Sequence, residues 1–486
     1  MDQVVEPSRS IPVLCDVDVA VAGAGVAGVF AALAAARQGA RTVLIDRFGS
    51  IGGNIGPGMI NNGHMVSGQA HPKVHHECTV YPRLYGLARE FLDRYAALGG
   101  GSIPPLTRVN YPGDASIASY VAQRMLEESG VRLLLSTWTA DPLLDGQRVR
   151  GLFVENKSGR QAVRAGVVVD ATGEADVARR TSAPVLYPKE EYHELDGHAP
   201  TGMGLYYLVG GIRWDRYESH GERLQVSEED LAWGRLQLGE RDAERAGRIL
   251  PLLRRAVEAG TYRLDCGLEL DGVPVGVNTS GISPVGSGGL GHGRVSPKGQ
   301  AAVDAGNGLH MAALEAALRA RAFETFRLWR EGVPGFEDAS LLCISPFLGV
   351  RGGPCIAGEY TLTMDDCRAG RRFDDVIYLY GEFRALRWTA ERGDPKWVDV
   401  PYRVMVPRGI DGLLAVGRSA SGQPDTLLRN RMAVKVMGQA GGTAAALCAA
   451  QGVMPRELDV RQLQIRLLDQ GFYLGDRHRL RELGLT

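Results

Sequence analysis

The chain has 486 residues, more than a single hydrophobic core usually supports, so its length predicts at least two domains. Its content of 44% hydrophobic and 23% charged residues is ordinary for a soluble globular protein and argues against long disordered stretches. The 55 basic and 56 acidic side chains nearly balance, which argues against a nucleic-acid partner and against an anionic-membrane partner.

Cysteine use and the first residues bear on the compartment. The seven cysteines are scattered and contain no CxxC pair, so a disulfide framework, a zinc site and a dithiol motif are all poorly supported. Residues 1–12 are polar and lack the apolar segment of a secretory signal. We therefore expect reduced cysteines and a cytoplasmic protein.

Residues 19–36 carry no charge over a length that could cross a membrane. However, this stretch is interrupted at Gly23, Gly25 and Gly28. An acidic residue, Asp18, directly precedes it. A buried strand that runs into a buried helix explains the pattern better, so we expect no membrane partner.

The first predicted element is a strand over residues 16–22, DVDVAVA, whose alternating pattern becomes fully apolar. An alanine-rich helix follows and ends near Gly39. Residues 41–45, RTVLI, form a second short strand that ends at Asp46. The turn between the first strand and the helix consists of Gly23, Ala24, Gly25, Val26, Ala27 and Gly28.

This order of strand, glycine-rich turn, helix, strand and acidic residue is typical of dinucleotide-binding folds. Gly23 allows the tight turn, Gly25 lets a pyrophosphate approach the backbone, and Gly28 lets the helix pack closely on the strands. The free N–H groups at the start of the helix favour a bound phosphate, and the carboxylate of Asp46 can accept hydrogen bonds from a ribose. The alternative is a purely structural unit with a glycine-rich turn.

The residues after Asp46 bear on which dinucleotide is bound. A basic residue, Arg47, follows the acid, and the paired glycine Gly52–Gly53 directly precedes Asn54. This arrangement resembles FAD-dependent oxidoreductases with a glutathione-reductase-type FAD-binding domain, among them fumarate-reductase-like and thiazole-synthase-like flavoproteins. In that family the paired glycine lets the chain run beside the pyrophosphate and the flavin, whereas NAD dehydrogenases usually lack it. The resemblance implies that FAD is the cofactor and that these residues and the preceding turn bind it.

Between the cofactor segments, the periodicity predicts a helix over residues 114–130 and strands at residues 132–135 and 148–154. From about residue 184 the pattern changes to a mixture of strands and helices. Its predicted elements are a strand over residues 202–209, helical residues 228–259, a hairpin around Asp271–Gly272 with arms at 262–270 and 273–278, and a long helix over 308–332.

Two distant segments fit the same family. Residues 167–176, VVVDATGEAD, look like its buried strand with an ATG turn, and residues 412–418, GLLAVGR, look like its closing strand. The next helix carries the small residues Gly438, Gly441 and Ala445, which allow tight packing, and its N-terminal dipole would stabilise the negative charge of reduced flavin. The resemblance implies further cofactor contacts at Ala140, Ala171, Thr172, Gly173, Gly417, Arg418, Arg431, Met432 and Ala433.

Together the elements predict an α/β fold class, a Rossmann-type FAD-binding domain of three layers around a parallel sheet, with an inserted α+β substrate domain. The FAD-binding domain is expected to be discontinuous, with residues 15–185 and 398–455 on either side of a substrate domain at residues 186–397. Two short helical pieces broken at Gly471 predict a helical cap over residues 456–486.

The candidate catalytic residues lie at four positions. Arg351, in the segment GVRGGP, resembles a family arginine beside the flavin. It is a candidate to bind a substrate oxygen or to act as an electrophile, and a structural ion pair is the alternative. Family members often carry further arginines after this position, where this chain has Gly-Gly-Pro, so the substrate class stays open. His64 is a candidate base or covalent flavin attachment point. His198 and His292 each adjoin a glycine and are candidate general bases near neutral pH.

Two further patterns are interpreted as loops. Residues 286–291, GSGGLG, have neither a buried strand before them nor a helix after them, which argues against an NAD(P)H site. His71, His75, His76 and Cys78 show no standard metal-ligand spacing, so we expect exposed loop side chains and no metal.

The sequence thus predicts an FAD-dependent oxidoreductase that transfers a hydride between a small organic substrate and flavin N5, with the electrons passed to oxygen or another acceptor. One alternative is a flavin monooxygenase that uses external NAD(P)H. Another is a non-catalytic flavin-binding subunit of a redox complex, against which the lack of iron–sulfur cysteine motifs argues. A small-molecule substrate is the expected partner, and a homo-oligomer stays open.

Overall fold

A computed structural model shows, in the described residues, two large sheets with hydrophobic cores packed on them and three two-stranded sheets. His64 and His198 lie outside the described residues, and so do His71, His75, His76 and Cys78. The structure describes residues 4–59, 85–99, 114–187, 203–221, 226–279, 281–284, 289–298, 303–380, 397–423, 427–429 and 431–486.

The described chain contains both helices and strands. The helices are α1 Val26–Arg37, α2 Gly86–Ala97, α3 Asp114–Glu128, α4 Trp214–Gly221, α5 Glu228–Leu238, α6 Glu240–Ala246, α7 Leu250–Glu258, α8 Gly308–Gly332, α9 Met364–Ala369, α10 Arg431–Gln451, α11 Val460–Asp469 and α12 Arg477–Glu482. The strands are β1 Val13–Ala22, β2 Thr42–Ile45, β3 Arg132–Leu134, β4 Trp138–Asp145, β5 Arg148–Asn156, β6 Gly159–Asp170, β7 Val185–Leu186, β8 Leu205–Gly210, β9 Asp265–Leu270, β10 Val273–Thr279, β11 Ser283–Pro284, β12 Gly291–Lys298, β13 Ser340–Ile344, β14 Cys355–Ile356, β15 Leu362–Thr363, β16 Val376–Tyr380, β17 Val398–Pro401, β18 Leu413–Ala415 and β19 Gly422–Gln423.

The first sheet has the strand order β3-β2-β1-β6-β5-β4, and β18 pairs with β6. Strands β3, β2, β1, β6 and β18 run parallel, whereas β4 and β5 form an antiparallel extension beside β6. This arrangement confirms the predicted α/β fold with a parallel sheet. The carboxyl ends of β1, β2, β6 and β18 share one edge, where Gly23, Asp46, Ala171 and Val416 follow them. In open parallel sheets this edge is where ligands bind.

Helices α1 and α10 cross with their backbones in close contact on one face of this sheet. A methyl group on Gly438 would lie 2.2 Å from the carbonyl oxygen of Ala27, and one on Gly442 would lie 2.0 Å from that of Ala31. The tight packing predicted for this helix is therefore present. Gly441 instead faces Val416, which follows β18 of the sheet. Gly438 and Gly442 therefore make the contact with α1.

Replacement of Gly442 by alanine is expected to lower the free energy of unfolding by about 2–3 kcal/mol, because the added methyl overlaps the α1 backbone. This strain exceeds the roughly 1 kcal/mol by which alanine is favoured over glycine within a helix. Chemical denaturation measures the loss. Gly308→Ala is the matched control, since a methyl group there meets nothing within 4 Å. Equal losses in the two variants would contradict a close helix crossing.

The second sheet is antiparallel, with the strand order β13-β8-β12-β10-β9 and β11 paired with β12. Leu205, Tyr207 and Val209 of β8 point into a core that includes Leu314 and Leu318 of α8. Because side chains alternate along a strand, Tyr206 and Leu208 of β8 lie on the opposite face. This second core draws its buried residues from positions 203–350.

Two segments outside the first sheet pack into the core around α1. Tyr378 of β16 is fully buried there, as are Leu463 and Leu467 of α11. Near the C-terminus, Arg479 donates hydrogen bonds to the carbonyl oxygen of Phe373 and to the buried carboxylate of Asp399. The terminal helices are thereby attached to the cofactor side of the molecule. The proposed domain boundaries stay predictions.

Candidate functional site

The turn after β1 requires glycine at two positions. Gly23 has a φ of +98°, and a methyl group on it would lie 2.6 Å from the carbonyl oxygen of Ala171. A methyl group on Gly28 would lie 1.8 Å from the carbonyl oxygen of Gly23. The turn, the first residues of α1 and the segment after β6 are therefore packed backbone to backbone, as the spacing of the glycines predicts.

Gly25, the third glycine of this turn, faces open space instead. It is the N-cap residue of α1, and among the described residues no side chain caps the helix there and a methyl group on it would meet nothing within 4 Å. An uncapped helix start with open space in front of its N–H groups fits a phosphate. The turn therefore fits the pyrophosphate of the FAD that the sequence predicts.

Asp46 lies beside the same turn. One oxygen of its carboxylate accepts a hydrogen bond from the N–H of Ala24 at 2.5 Å, and the other accepts one from the N–H of Phe48 at 2.8 Å. Burial raises the pKa of Asp46, and these two N–H groups and nearby Arg47 oppose that rise. The carboxylate is held rigidly and keeps acceptor lone pairs for ribose hydroxyls.

The guanidinium of Arg47 lies near two aromatic rings, 4.8 Å from the ring centroid of Phe48 and 5.3 Å from that of Trp138. Trp138 begins β4, which also contains Ala140. These residues lie next to Asp46, at the end of the site where the adenosine half is expected. Their contacts with the cofactor stay predictions.

The paired glycine runs directly against the turn. The N–H of Gly52 donates to the carbonyl oxygen of Ala24 at 2.8 Å, and a methyl group on Gly53 would lie 2.9 Å from Cα of Gly25. Asn54 follows within a short 3-10 helix, Gly53–Ile55. The structure thus brings together three segments that the sequence analysis assigned to one cofactor site.

The segments after β6 and β18 meet on the other side of α1. The hydroxyl of Ser419 accepts hydrogen bonds from the N–H groups of Gly173 and Ala175. Gly417 lies against the first turn of α1, since a methyl group on it would be 2.9 Å from Cβ of Ala27. Asp170, fully buried, accepts hydrogen bonds from the N–H and the hydroxyl of Thr172 and shapes the ATG turn.

Helix α10 begins at Arg431 in the same region. The side chains of Arg431 and Met432 lie outside what the structure describes, whereas Ala433 is fully buried. The sulfur of Met437, one turn further on, accepts the N–H of Gly417 at 3.1 Å. The start of α10 therefore lies next to the closing segment, and its role at the flavin stays a prediction.

The second sheet turns its outer face towards the loop that follows the paired glycine. His292 of β12 stacks on Tyr206 with ring centroids 4.8 Å apart, and the guanidinium of Arg294 lies 5.6 Å from the same Tyr206 ring. A ring N–H of His292 donates to the backbone of Met59, whose φ of +54° is unusual for a non-glycine residue. The sulfur of Cys343 lies 3.7 Å from that of Met59.

The environment of His292 favours the neutral imidazole. Its pKa is lowered to about 4, chiefly by burial and in part by the positive charge of Arg294, while the hydrogen bond to Met59 opposes both effects. Its Nε2 atom is buried and has no hydrogen-bond partner among the described residues. With the other nitrogen donating to Met59, Nε2 is left as an acceptor.

The low pKa of His292 is expected to make stability depend on pH. Below about pH 6.5 the unfolded chain binds a proton that the folded chain takes up only near about pH 4. The contribution of His292 to the free energy of unfolding is therefore fully present above about pH 6.5. It is lost as the pH falls towards about 4, and the loss is at most roughly 3 kcal/mol.

Unfolding curves of the wild type and of His292→Gln across this pH range test the effect. The wild type should lose more stability on acidification than the variant, which has no titrating group at this position. Parallel pH dependences would contradict a buried, neutral His292.

Arg351 is half-buried and directly follows Val350 of the second core. Two residues later, a methyl group on Gly353 would lie 3.3 Å from Cγ of Glu174 and 4.0 Å from Nη1 of Arg418. The segment after Arg351 thus lies on the residues that flank the cofactor turn. Whether Arg351 binds substrate stays a prediction.

Sequence reasoning missed three charged or aromatic residues of the site. Glu174 forms a buried ion pair with Arg418, and Tyr206 and Arg294 flank His292. The acid in ATGEAD and the alternation of His292 and Arg294 in GHGRV were available signals. Fully buried Lys435, with its Nζ 5.1 Å from the ring centroid of Phe91, carried no such signal.

Metal clusters and membrane-spanning helices are both absent from the described part of the chain. No cluster of three or more His, Cys, Asp or Glu side chains there could hold a metal ion. No helix within those residues is both long and apolar enough to cross a membrane.

Comparison with known proteins gives one family match and several partial relatives. Digeranylgeranylglycerophospholipid reductase 2 of Methanopyrus kandleri is 28% identical over 287 residues, which are 54% of this chain and 65% of that protein. Thiamine thiazole synthase of Pyrobaculum islandicum is 32% identical over 170 residues, 32% of this chain and 56% of that protein. The matched region thus spans less than two thirds of either relative.

Among solved structures, a geranylgeranyl bacteriochlorophyll reductase-like protein of Thermoplasma acidophilum covers 96% of this chain and 86% of its own, at 12% identity and a TM-score of 0.39. The model of the FAD dependent oxidoreductase family matches residues 18–467. That match confirms the predicted family, the FAD cofactor and the prediction of an enzyme. Because it extends over almost the whole sequence, the chain belongs to the FAD-dependent oxidoreductase family.

Proposed function

We propose that this enzyme transfers a hydride between a small organic substrate and N5 of its flavin, and that the electrons pass to oxygen or another acceptor. When bound, FAD supplies the hydride-accepting centre. The protein must then place the substrate carbon, exclude water and hold a proton. The observation that carries the proposal is the position of His292, on the outer face of the second sheet and against the loop after the paired glycine.

Several contacts hold this sheet face on the loop. A ring N–H of His292 bonds the backbone of Met59, and the hydroxyl of Ser345 lies 3.3 Å from the carbonyl oxygen of Pro57. On the same side, the rings of Phe347 and Phe48 stack with centroids 4.5 Å apart. These contacts support a substrate site that is covered by the second sheet and closed to bulk water.

The acceptor character of His292 favours one class of substrate. A buried Nε2 that is unprotonated at neutral pH can accept a hydrogen bond from a substrate O–H or N–H. Such a hydrogen bond would orient a CH–OH or CH–NH unit. Nε2 of His292 would then accept the O–H or N–H proton as the hydride leaves the carbon. A CH–CH substrate offers nothing comparable to His292, so alcohols and amines are favoured.

The name of one relative supports the opposite direction of reaction. One is called a reductase and the other a synthase, and each matches only part of this chain. Hydride transfer to a substrate is therefore the alternative direction. His64 and His198, outside the described residues, stay candidates for an additional base.

Anaerobic reduction of the purified holoenzyme tests the proposal. We expect the visible flavin band to bleach with a member of a panel of small alcohols and amines, and to bleach more slowly when the reacting carbon carries deuterium. Bleaching by NAD(P)H alone would favour the monooxygenase alternative. A flavin that is reduced by neither group of compounds would favour the non-catalytic subunit.

A further inference from the structure

A buried ion pair lies beside the cofactor turn. Arg418 and Glu174 are joined through Nη2 and Oε1, and their side chains are only 15% and 14% exposed. Burial raises the pKa of Glu174, and the charge of Arg418 is the largest opposing influence. An ion pair removed from water in this way is costly unless its remaining donors find partners.

One donor of this pair has no such partner. Nη1 of Arg418 is buried and forms no hydrogen bond within the described residues. An unsatisfied guanidinium N–H group in the interior is a large penalty in a folded protein. A bound ligand that offers acceptor oxygens would remove that penalty.

The backbone places Arg418 near the start of α1, where the phosphate is expected. Gly417, which precedes Arg418, contacts Ala27 in the first turn of α1, and the guanidinium covers Gly173, whose added methyl would lie 2.6 Å from Nη2. The hydroxyl of Ser419 fixes the segment through the N–H groups of Gly173 and Ala175. Arg418 is therefore held on a rigid support beside the uncapped start of α1.

We propose that Glu174 is a positioning residue, which holds the guanidinium of Arg418 so that Nη1 donates to a phosphate oxygen of bound FAD. Glu174 binds one arm of the planar guanidinium and leaves the other arm for the ligand. The ammonium group of a lysine lacks this planar set of N–H donors, so it could not hold the carboxylate of Glu174 and the phosphate in one fixed geometry. The inference concerns cofactor retention and does not depend on the hydride-transfer reaction proposed above.

Binding measurements on the apoprotein test this role. Glu174→Gln keeps the size of the side chain and removes its charge, and it is expected to weaken binding of both FAD and ADP about tenfold. Adenosine, which has no phosphate, should bind both proteins equally. Arg418→Lys should weaken FAD and ADP in the same way, and it serves if Glu174→Gln does not fold.

Asp16→Asn is the matched control, since it removes the same charge from an ion pair with Arg164 that is 53% and 55% exposed. It should leave both affinities unchanged. FAD affinity that stays at the wild-type value in Glu174→Gln would overturn the proposal. So would a loss of FAD affinity with unchanged ADP affinity, because Arg418 would then act on the flavin half.

Discussion

Replacement of Gly25 by valine is expected to remove FAD from the enzyme without unfolding it. The backbone of Gly25 is extended, with a φ of −72°, and an added Cβ atom meets no atom of the described residues within 4 Å. The apoprotein should therefore tolerate valine. The side chain would fill the space in front of the α1 N–H groups, and losing two charge-assisted hydrogen bonds weakens binding by about 100-fold or more.

The measurement combines FAD titration of the apoprotein with its thermal unfolding. Gly28→Ala is the contrasting variant, because its methyl would lie 1.8 Å from the carbonyl oxygen of Gly23. It should lower the unfolding temperature even without cofactor. If Gly25→Val retained wild-type FAD affinity, the pyrophosphate could not pass over this turn.

The cofactor side of the fold could be predicted because its signals are local. The strand, turn and helix from Val13 to Arg37 occupy adjacent residues, and Gly23 and Gly28 each have a nearby steric reason. The hairpin at Asp271–Gly272 was predicted for the same reason, and the structure shows φ values of +49° and +77° there. Helix α8 follows its predicted range from Gly308 to Gly332.

Strand β12 was not predicted, and its sequence explains why. Gly291, Gly293 and Pro297 all disfavour a strand by intrinsic propensity. The tertiary structure requires the glycine, since a methyl group on Gly293 would lie 2.1 Å from the ring of Tyr207. Pairing with β8 on one side and β10 on the other outweighs the poor propensity.

The site residues that escaped prediction depend on contacts between distant segments. Glu174 meets Arg418 across 244 positions, and His292 meets Met59 across a comparable distance. Periodicity reports which face of an element is buried, but not which loop that face will contact. His292 could thus be named as a histidine beside a glycine, whereas its unpartnered Nε2 required the assembled sheet.

Substitution of His292 by glutamine is expected to lower kcat by about 100-fold or more, the typical contribution of a positioned acid–base group. Glutamine retains polarity but cannot act as a base, and the residue lies away from the phosphate turn, so FAD affinity should not change. His478→Gln is the matched control, because His478 is 79% exposed and pairs only with Glu482 among the described residues.

The pH profile distinguishes a base from a structural residue. Since the pKa of His292 is about 4, its neutral form dominates at neutral pH, and the wild-type rate should fall only as the pH approaches about 4. The rate of the variant should be lower at every pH, and it should no longer fall as the pH approaches about 4. A reduced rate with the acidic limb intact would mean that His292 supports the sheet against Met59 and that another group takes the proton.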